Sequence, residues 1–324
     1  MARCAHRALC SSACAVSGRL LGHAHRRVAH APPAHGRGFG FAGGCAGLDA
    51  AAPRRRRGAA VARGWGDDVS FAPATVSASA AADESATLTR IAIDGCDEAG
   101  YREPGQFVQV KVAEGDKPAF MAIASPPNAG GGIELLVRGG GGETAGKLCG
   151  LAPGAEVLLS GVMGKGFRTG ERAPAAPDSV VFIFATGSGI SPIRSLIESG
   201  GDEGFHAGAR KRTVLFYGCR SRAHIPLAAE GGDAMWRAWR ESFGVDSVVV
   251  ALSDPAEEEG EAGGVRFARG YVQEVFRRDA GRYMEGVDVG ADDVAVVMCG
   301  QREMCDEVTA IFTDLGVEKF LFNF

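Results

Sequence analysis

Four consecutive residues in this 324-residue chain, Thr186-Gly187-Ser188-Gly189, have types and spacing suited to holding a phosphate group. They follow a continuous apolar run, Val180 to Phe184, and precede a helix-like stretch from Pro192. Glycine at 187 and 189 lets backbone approach a bulky anion closely. A helix behind them offers unpaired N–H groups and the positive end of its dipole. Pro192 suits a first helical turn, where its missing N–H costs nothing. The chemistry this implies is pyrophosphate binding, although the same glycines also serve a plain strand-end reversal. The five cysteines beyond residue 66, at 96, 149, 219, 299 and 305, form no CxxC and no zinc or iron–sulfur spacing.

The surrounding elements favour the anion site. Apolar runs recur at Thr213–Tyr217, Ser247–Ala251 and Val294–Met298, separated by amphipathic stretches. One such stretch puts Met304, Val308, Ile311, Phe312 and Leu315 on a single helical face. Buried strands alternating with helices predict a doubly wound parallel sheet over 175–324, where ligands bind beyond the carboxyl ends of the strands. Upstream the period changes to two. Val108, Val110 and Val112 alternate with Gln109 and Lys111, and Ile133, Leu135 and Val137 with Glu134 and Arg138. With turns at Pro104-Gly105 and Pro153-Gly154, residues 86–174 read as a small antiparallel β-barrel. The expected fold class is therefore an antiparallel barrel followed by an α/β nucleotide-binding domain.

Thr186 to Ser195 resembles the T-G-x-G-[IV]-[AS]-P-[FIM]-x-[SA] turn of the ferredoxin–NADP reductase superfamily. Cys299-Gly300-Gln301-Arg302-Glu303-Met304 is similar to its C-G-x-x-x-M segment. The two motifs stand over a hundred residues apart, each after an expected strand. The resemblance covers residues 86–324 and looks closest to plastid reductase-like proteins of plants and algae. It implies that Thr186, Gly187, Gly189, Cys299 and Gly300 line a nicotinamide-dinucleotide site, with the Cys299 thiol near the nicotinamide. The other reading of Cys299 is a small hydrophobe buried at a strand end. Segments at Gly218-Cys219-Arg220-Ser221, Ser253 and Gly270-Tyr271-Val272-Gln273 resemble the adenosine side. Arg220 and Arg222 there are either phosphate contacts or solvated loop residues.

The resemblance also implies a flavin, FAD or FMN. The family signature R-x-Y-[ST] is read here at Ala122-Ile123-Ala124-Ser125, where only Ser125 survives. In the family the arginine meets pyrophosphate, the tyrosine packs on the ring and the hydroxyl bonds its reactive nitrogen. Each lost contact of this kind is worth roughly 1–3 kcal/mol. Gly142-Glu143-Thr144-Ala145 resembles the pyrophosphate-binding G-x-x-[ST] turn, or is a glycine-rich hairpin. Phe324 falls where some members place an aromatic over the flavin, although Phe320, Phe322 and Phe324 also alternate like core residues. Ser125 and Cys299 are the expected catalytic pair. The function implied is transfer of a hydride from NADH or NADPH to the flavin, then of electrons to a separate acceptor such as a redox protein. The alternative is a non-catalytic nucleotide-binding or electron-transfer accessory subunit with an eroded flavin site. Ser253-Asp254 stands where NADPH-using members carry Ser-Arg, which favours NADH.

The N-terminal stretch reads as an address. Residues 1–66 hold eleven arginines, no lysine and one acid, Asp49, with no sustained periodicity. That composition predicts a transit peptide to the chloroplast, or to a mitochondrion. A basic RNA-binding tail centred on Arg54 to Arg57 is the other possibility, but no aromatic is interleaved to stack on bases. Residues 67–85, Ala/Ser-rich, read as a linker. Beyond residue 66 there are 24 basic residues against 38 acidic ones, a net charge of −14. Such a body repels nucleic acid and anionic membranes. No apolar run approaches 18 residues, so no membrane span is expected.

Overall fold

The structure, a computed structural model, describes residues 69–96, 100–127, 129–169, 179–199, 212–226, 234–287 and 293–323. The leader, the boundary expected near residue 175 and Phe324 lie outside the described residues. Asp68–Phe324 forms one compact unit.

Its first half is an antiparallel six-stranded sheet in the order β4-β3-β6-β1-β2-β5. The strands are β1 (Phe71–Ala81), β2 (Leu88–Asp94), β3 (Phe107–Lys111), β4 (Ala119–Ala122), β5 (Ile133–Arg138) and β6 (Glu156–Ser160). A bridge from Ile123 to Leu135 joins the two edge strands and nearly closes the barrel. Alternate residues point inward, so Val108, Val110, Ile133, Leu135 and Val137 share one buried core. A short helix, α1 (Glu143–Cys149), follows β5 and seals that core with Ala145 and Leu148.

Strand β1 corrects the sequence reading, which placed a linker at 67–85. It sits between β6 and β2 and pairs with both. Its sequence, FAPATVSASAA, looked unstructured because only Ala74 and Val76 turn fully into the core. Backbone pairing on two sides holds it where side-chain burial is slight. The turn that follows is fixed by Asp83, 2% exposed. Its carboxylate accepts hydrogen bonds from Ser85 Oγ, Thr87 Oγ1 and the amides of Thr87 and Leu88.

The second half is a seven-stranded sheet in the order β10-β11-β9-β8-β7-β12-β13. It comprises β7 (Val180–Thr186), β8 (Arg212–Cys219), β9 (Ser247–Leu252), β10 (Gly260–Ala262), β11 (Val265–Arg269), β12 (Val294–Cys299) and β13 (Lys319–Phe322). All pairs are parallel except β10 on β11. Among the described residues four helices cover it: α2 (Ile190–Glu198), α3 (Ala234–Ser242), α4 (Val272–Tyr283) and α5 (Arg302–Asp314). Strand β7 shows why its run is wholly apolar. Val181, Ile183 and Ala185 face α2 and α3, whereas Val180, Phe182 and Phe184 face α4 and α5. The second face carries an aromatic cluster in which Phe184 stacks on Phe216 at 4.9 Å and meets Phe276 edge-on at 5.7 Å.

Candidate functional site

The chain adds β8, β9 and β11 on one side of β7, then returns to place β12 and β13 on the other. The order therefore reverses between β7 and β12, the switch point where open α/β sheets bind ligands. Both sequence motifs end there, because Ala185 on β7 pairs with Cys299 on β12. The Gln301 amide donates to Thr186 Oγ1 at 3.0 Å, tying the two turns together. Gly189 packs against the Cys299 carbonyl and Gly300 against Thr186, each so closely that a Cβ would overlap its neighbour. Gly187 differs. Its φ is +53° and a Cβ there would meet nothing within 4 Å, so its backbone faces open space.

That space is a cleft of about 1280 Å³ between the turns and the barrel wall. It exceeds the ~300–1,000 Å³ of a drug-sized ligand pocket, leaving room for something longer. The nucleotide side is lined by Thr186, Gly187, Gly189, Cys299 and Gly300, with Tyr217 as a buried floor. Burial pushes the Cys299 thiol up to about 12, so it stays protonated at neutral pH. Burial likewise raises Tyr217 well above the usual phenol range. Neither group exchanges protons near neutrality.

The barrel wall corrects the reading at Ala122–Ser125. Phe120, Met121 and Ala122 line the cleft, whereas Ile123, Ala124 and Ser125 are buried and do not. Strand β4 ends at Ala122, and the next residues close the barrel. Ile123 bridges to Leu135, and the Ala124 amide donates to the Glu134 carbonyl at 2.7 Å. Ser125 Oγ accepts from the Glu134 amide at 3.0 Å and is spent inside the barrel. Of the four residues read as the signature only Ala122 reaches the cleft, and the residues that line it on this strand, Phe120, Met121 and Ala122, carry no polar side chain. Gly142 and Thr144 also lie off the cleft; Thr144 Oγ1 donates to the Lys117 carbonyl at 2.7 Å. Ala145 and Gly141 do line it. Arg138, at the end of β5, was missed as a site residue. It lines the cleft, and its guanidinium has no hydrogen-bond or ion-pair partner among the described residues. A cation directly before the Gly139–Gly142 stretch was the sequence signal that could have found it.

At the far end, Arg220, Ser253 and Tyr271 line the cleft, joined by His224. Arg220 Nε stands 3.8 Å from Asp254 Oδ2 and is largely exposed. Arg222 is withdrawn. Its guanidinium lies 3.8 Å above the Phe267 ring, 3.3 Å from Glu257 Oε2, and donates to the Glu258 carbonyl at 3.0 Å. Among the described residues the two exposed large hydrophobics, Phe120 and Tyr271, both line this cleft. An apolar wall, two exposed rings, an unpaired arginine and a glycine turn fit a ligand with flat rings joined by phosphates. The residues present therefore suit a dinucleotide and a flavin, even without the family's tyrosine and arginine.

Comparison with known proteins agrees with this geometry. Residues 183–310 match the oxidoreductase NAD-binding domain family. The chain is 32% identical over 227 residues to the fruit protein pKIWI502 of Actinidia deliciosa, covering 68% of this chain and 64% of that protein. It is 29% identical over 175 residues to one component of the Na(+)-translocating NADH-quinone reductase of Yersinia pestis, covering 52% and 36%. The chain thus spans less than two thirds of the length of these relatives. Among solved structures, a ferredoxin NADP+ reductase from Neisseria gonorrhoeae with bound FAD and NADP superimposes with a TM-score of 0.59. That match is 15% identical and covers 78% of this chain and 97% of the other. The barrel followed by a parallel sheet is the fold of that structure.

Proposed function

We propose that the chain belongs to the ferredoxin–NADP reductase superfamily, as its fold and its NAD-binding-domain match support, and that it is an NAD(P)H-dependent flavin oxidoreductase delivering electrons to a separate acceptor. The observation that carries this reading is the single cleft uniting the two dinucleotide turns with an apolar barrel wall. The flavin, when bound, supplies the conversion between a two-electron donor and one- or two-electron acceptors. The protein's own residues bind, orient and exclude water. The open backbone at Gly187 receives the nucleotide's pyrophosphate at the head of α2. Cys299, protonated and half-buried, packs against the nicotinamide without taking a proton. Arg138 holds phosphate from the barrel side, Met121 and Ala122 give a flat apolar rest for the flavin, and Tyr271 offers its exposed face to the adenine.

FAD is favoured over FMN because the cleft, at about 1280 Å³, is larger than a drug-sized ligand pocket of ~300–1,000 Å³ and leaves room for a dinucleotide flavin. The acceptor is a small molecule or a redox protein that tolerates a body of net charge −14. The arginine-rich composition of residues 1–66 supports delivery to a plastid, which a fluorescent fusion of those residues would test in plant or algal cells. No helix among the described residues is long and apolar enough to cross a membrane.

The experiment is the absorption spectrum of the purified full chain, before and after anaerobic NADH or NADPH. A yellow protein that bleaches supports the reading. A colourless protein that cannot be loaded with FAD, yet binds NAD(P), establishes the accessory-subunit alternative instead.

A further inference from the structure

One face of α2 makes the polar part of the contact between the two halves of the molecule, beside an apolar cluster that joins Leu88, Ala124 and Leu136 to Ile190 and Ile193. Ser191, Arg194 and Ser195 stand at i, i+3 and i+4 and share that face. Ser191 Oγ donates to the Ala122 carbonyl at 3.4 Å, and both residues line the cleft. Arg194 Nη1 lies 2.8 Å from Glu134 Oε2 on β5, off line for a hydrogen bond, so the attraction is mainly Coulombic. Ser195 Oγ bonds the Tyr101 hydroxyl. Tyr101 gives its one proton to the Ser125 carbonyl at 2.7 Å, so the serine is the donor to the phenol.

These charges are set deep for an internal contact. The Arg194 side chain is 12% exposed and that of Glu134 19%. Both are supported from behind. Arg194 Nε reaches Glu198 at 3.0 Å, Glu198 accepts from Trp239 Nε1 at 3.0 Å, and Arg90 Nε donates to Glu134 at 2.9 Å. Burial raises the Glu134 carboxyl, but Arg90 and Arg194 outweigh it and hold it below the usual carboxylate range. The apolar patch already joins the two halves without the desolvation cost that buried charges carry. What a directed ionic contact adds is one fixed register.

That register bears on the cleft. Helix α2 begins at residue 190, directly behind the Gly187–Gly189 turn. Glu134 begins the other path: its amide donates to Ser125 Oγ, and its carbonyl holds the Ala124 amide where β4 ends. We propose that Arg194 is a positioning residue which, with Glu134 and Ser195, sets the spacing between the glycine turn and the β4–β5 wall. It thereby aligns the nicotinamide with the flavin. This rests on the flavin–nicotinamide reading of the cleft.

The test uses the full chain as wild type, Arg194→Met, Arg194→Lys and Glu134→Gln. NADH-dependent ferricyanide reduction gives kcat and KM, fluorescence titration gives the FAD Kd, and amide hydrogen exchange follows residues 119–125 and 187–195. Arg194→Met should lower kcat by about tenfold or more, because a misplacement of ~1 Å can cost ~100-fold. KM and the FAD Kd should stay within about threefold, the pattern of lost orientation rather than lost binding. Arg194→Lys should recover most of kcat, and exchange in Arg194→Met should rise in both segments together. A folded Arg194→Met with wild-type kcat, or with only KM raised, overturns the proposal. Should that variant not fold, the nearly isosteric Glu134→Gln is judged by the same criteria. If the wild type neither binds FAD nor oxidises NADH, the functional reading has failed, and hydrogen exchange alone decides about the joint. A rise confined to one segment then rejects it, and a paired rise supports it.

Discussion

Gly187 and Gly189 belong to one turn but are glycine for opposite reasons. Gly189 is pressed against the Cys299 carbonyl, so Gly189→Ala should lower the melting temperature by several degrees through backbone overlap. Gly187 has open space before it and a left-handed φ, so Gly187→Val costs only about 1–2 kcal/mol of backbone strain. Its larger expected effect is on NADH, with KM raised about tenfold or more as the side chain fills the anion's approach. Melting curves beside steady-state kinetics separate the two; equal KM values for Gly187→Val and wild type would remove the anion role. The same logic applies at Ser125. Its hydroxyl satisfies the buried Glu134 amide, so Ser125→Ala should cost stability of about 1–3 kcal/mol and leave the FAD Kd unchanged. A variant that weakens FAD without a loss of stability would return Ser125 to the cleft. Ala124→Tyr is expected to overpack the fully buried position rather than give the flavin a platform.

At the level of elements, the acidic segment after β9 is more than an exposed excursion. It folds back as β10 on β11, with Glu257 held by Arg222 and Glu259 by Arg278 and the Arg269 amide. That pairing removes Arg222 from the far end of the cleft, where Asp254 already faces Arg220. A 2′-phosphate would meet a carboxylate there, and unit charges 4 Å apart repel by about 4 kcal/mol at an effective dielectric of ~20, before solvent screening. NADH is therefore the expected donor, and Asp254→Arg should shift the kcat/KM ratio toward NADPH by about tenfold or more. A wild type that prefers NADPH by that factor would overturn the assignment.

Across the whole molecule, the chain from Asp68 onward is one compact unit, and its N-terminal limit can be tested by truncation. A chain starting at Ser70 keeps β1 and should melt like the full protein. One starting at Ala86 loses a strand paired on both edges and should not fold. The join between the halves predicts a pH response. Because Arg90 and Arg194 lower the Glu134 pKa in the folded state, its ionised form contributes stability above the unfolded value, near pH 4.3. That contribution is lost as pH falls through the lower folded value. The melting-temperature gap between wild type and Glu134→Gln should hold from about pH 7 to 5 and shrink below about pH 4; a constant gap would contradict the ion pair. The sequence by itself determined the fold class and the glycine turns at the strand ends, because apolar period and glycine placement are local properties that survive without coordinates. It misread β1, whose Ala/Ser-rich strand is held by neighbours distant in sequence. It also put the buried residues Ile123 to Ser125 on the cleft wall, because only barrel closure decides which side of Ala122 faces inward. Tertiary structure alone turned Arg194 toward Glu134, left Arg138 unpaired in the cleft and drew Arg222 away from it. A charged side chain's role depends on which opposite charge folding brings within reach, and spacing along the chain carries no record of that.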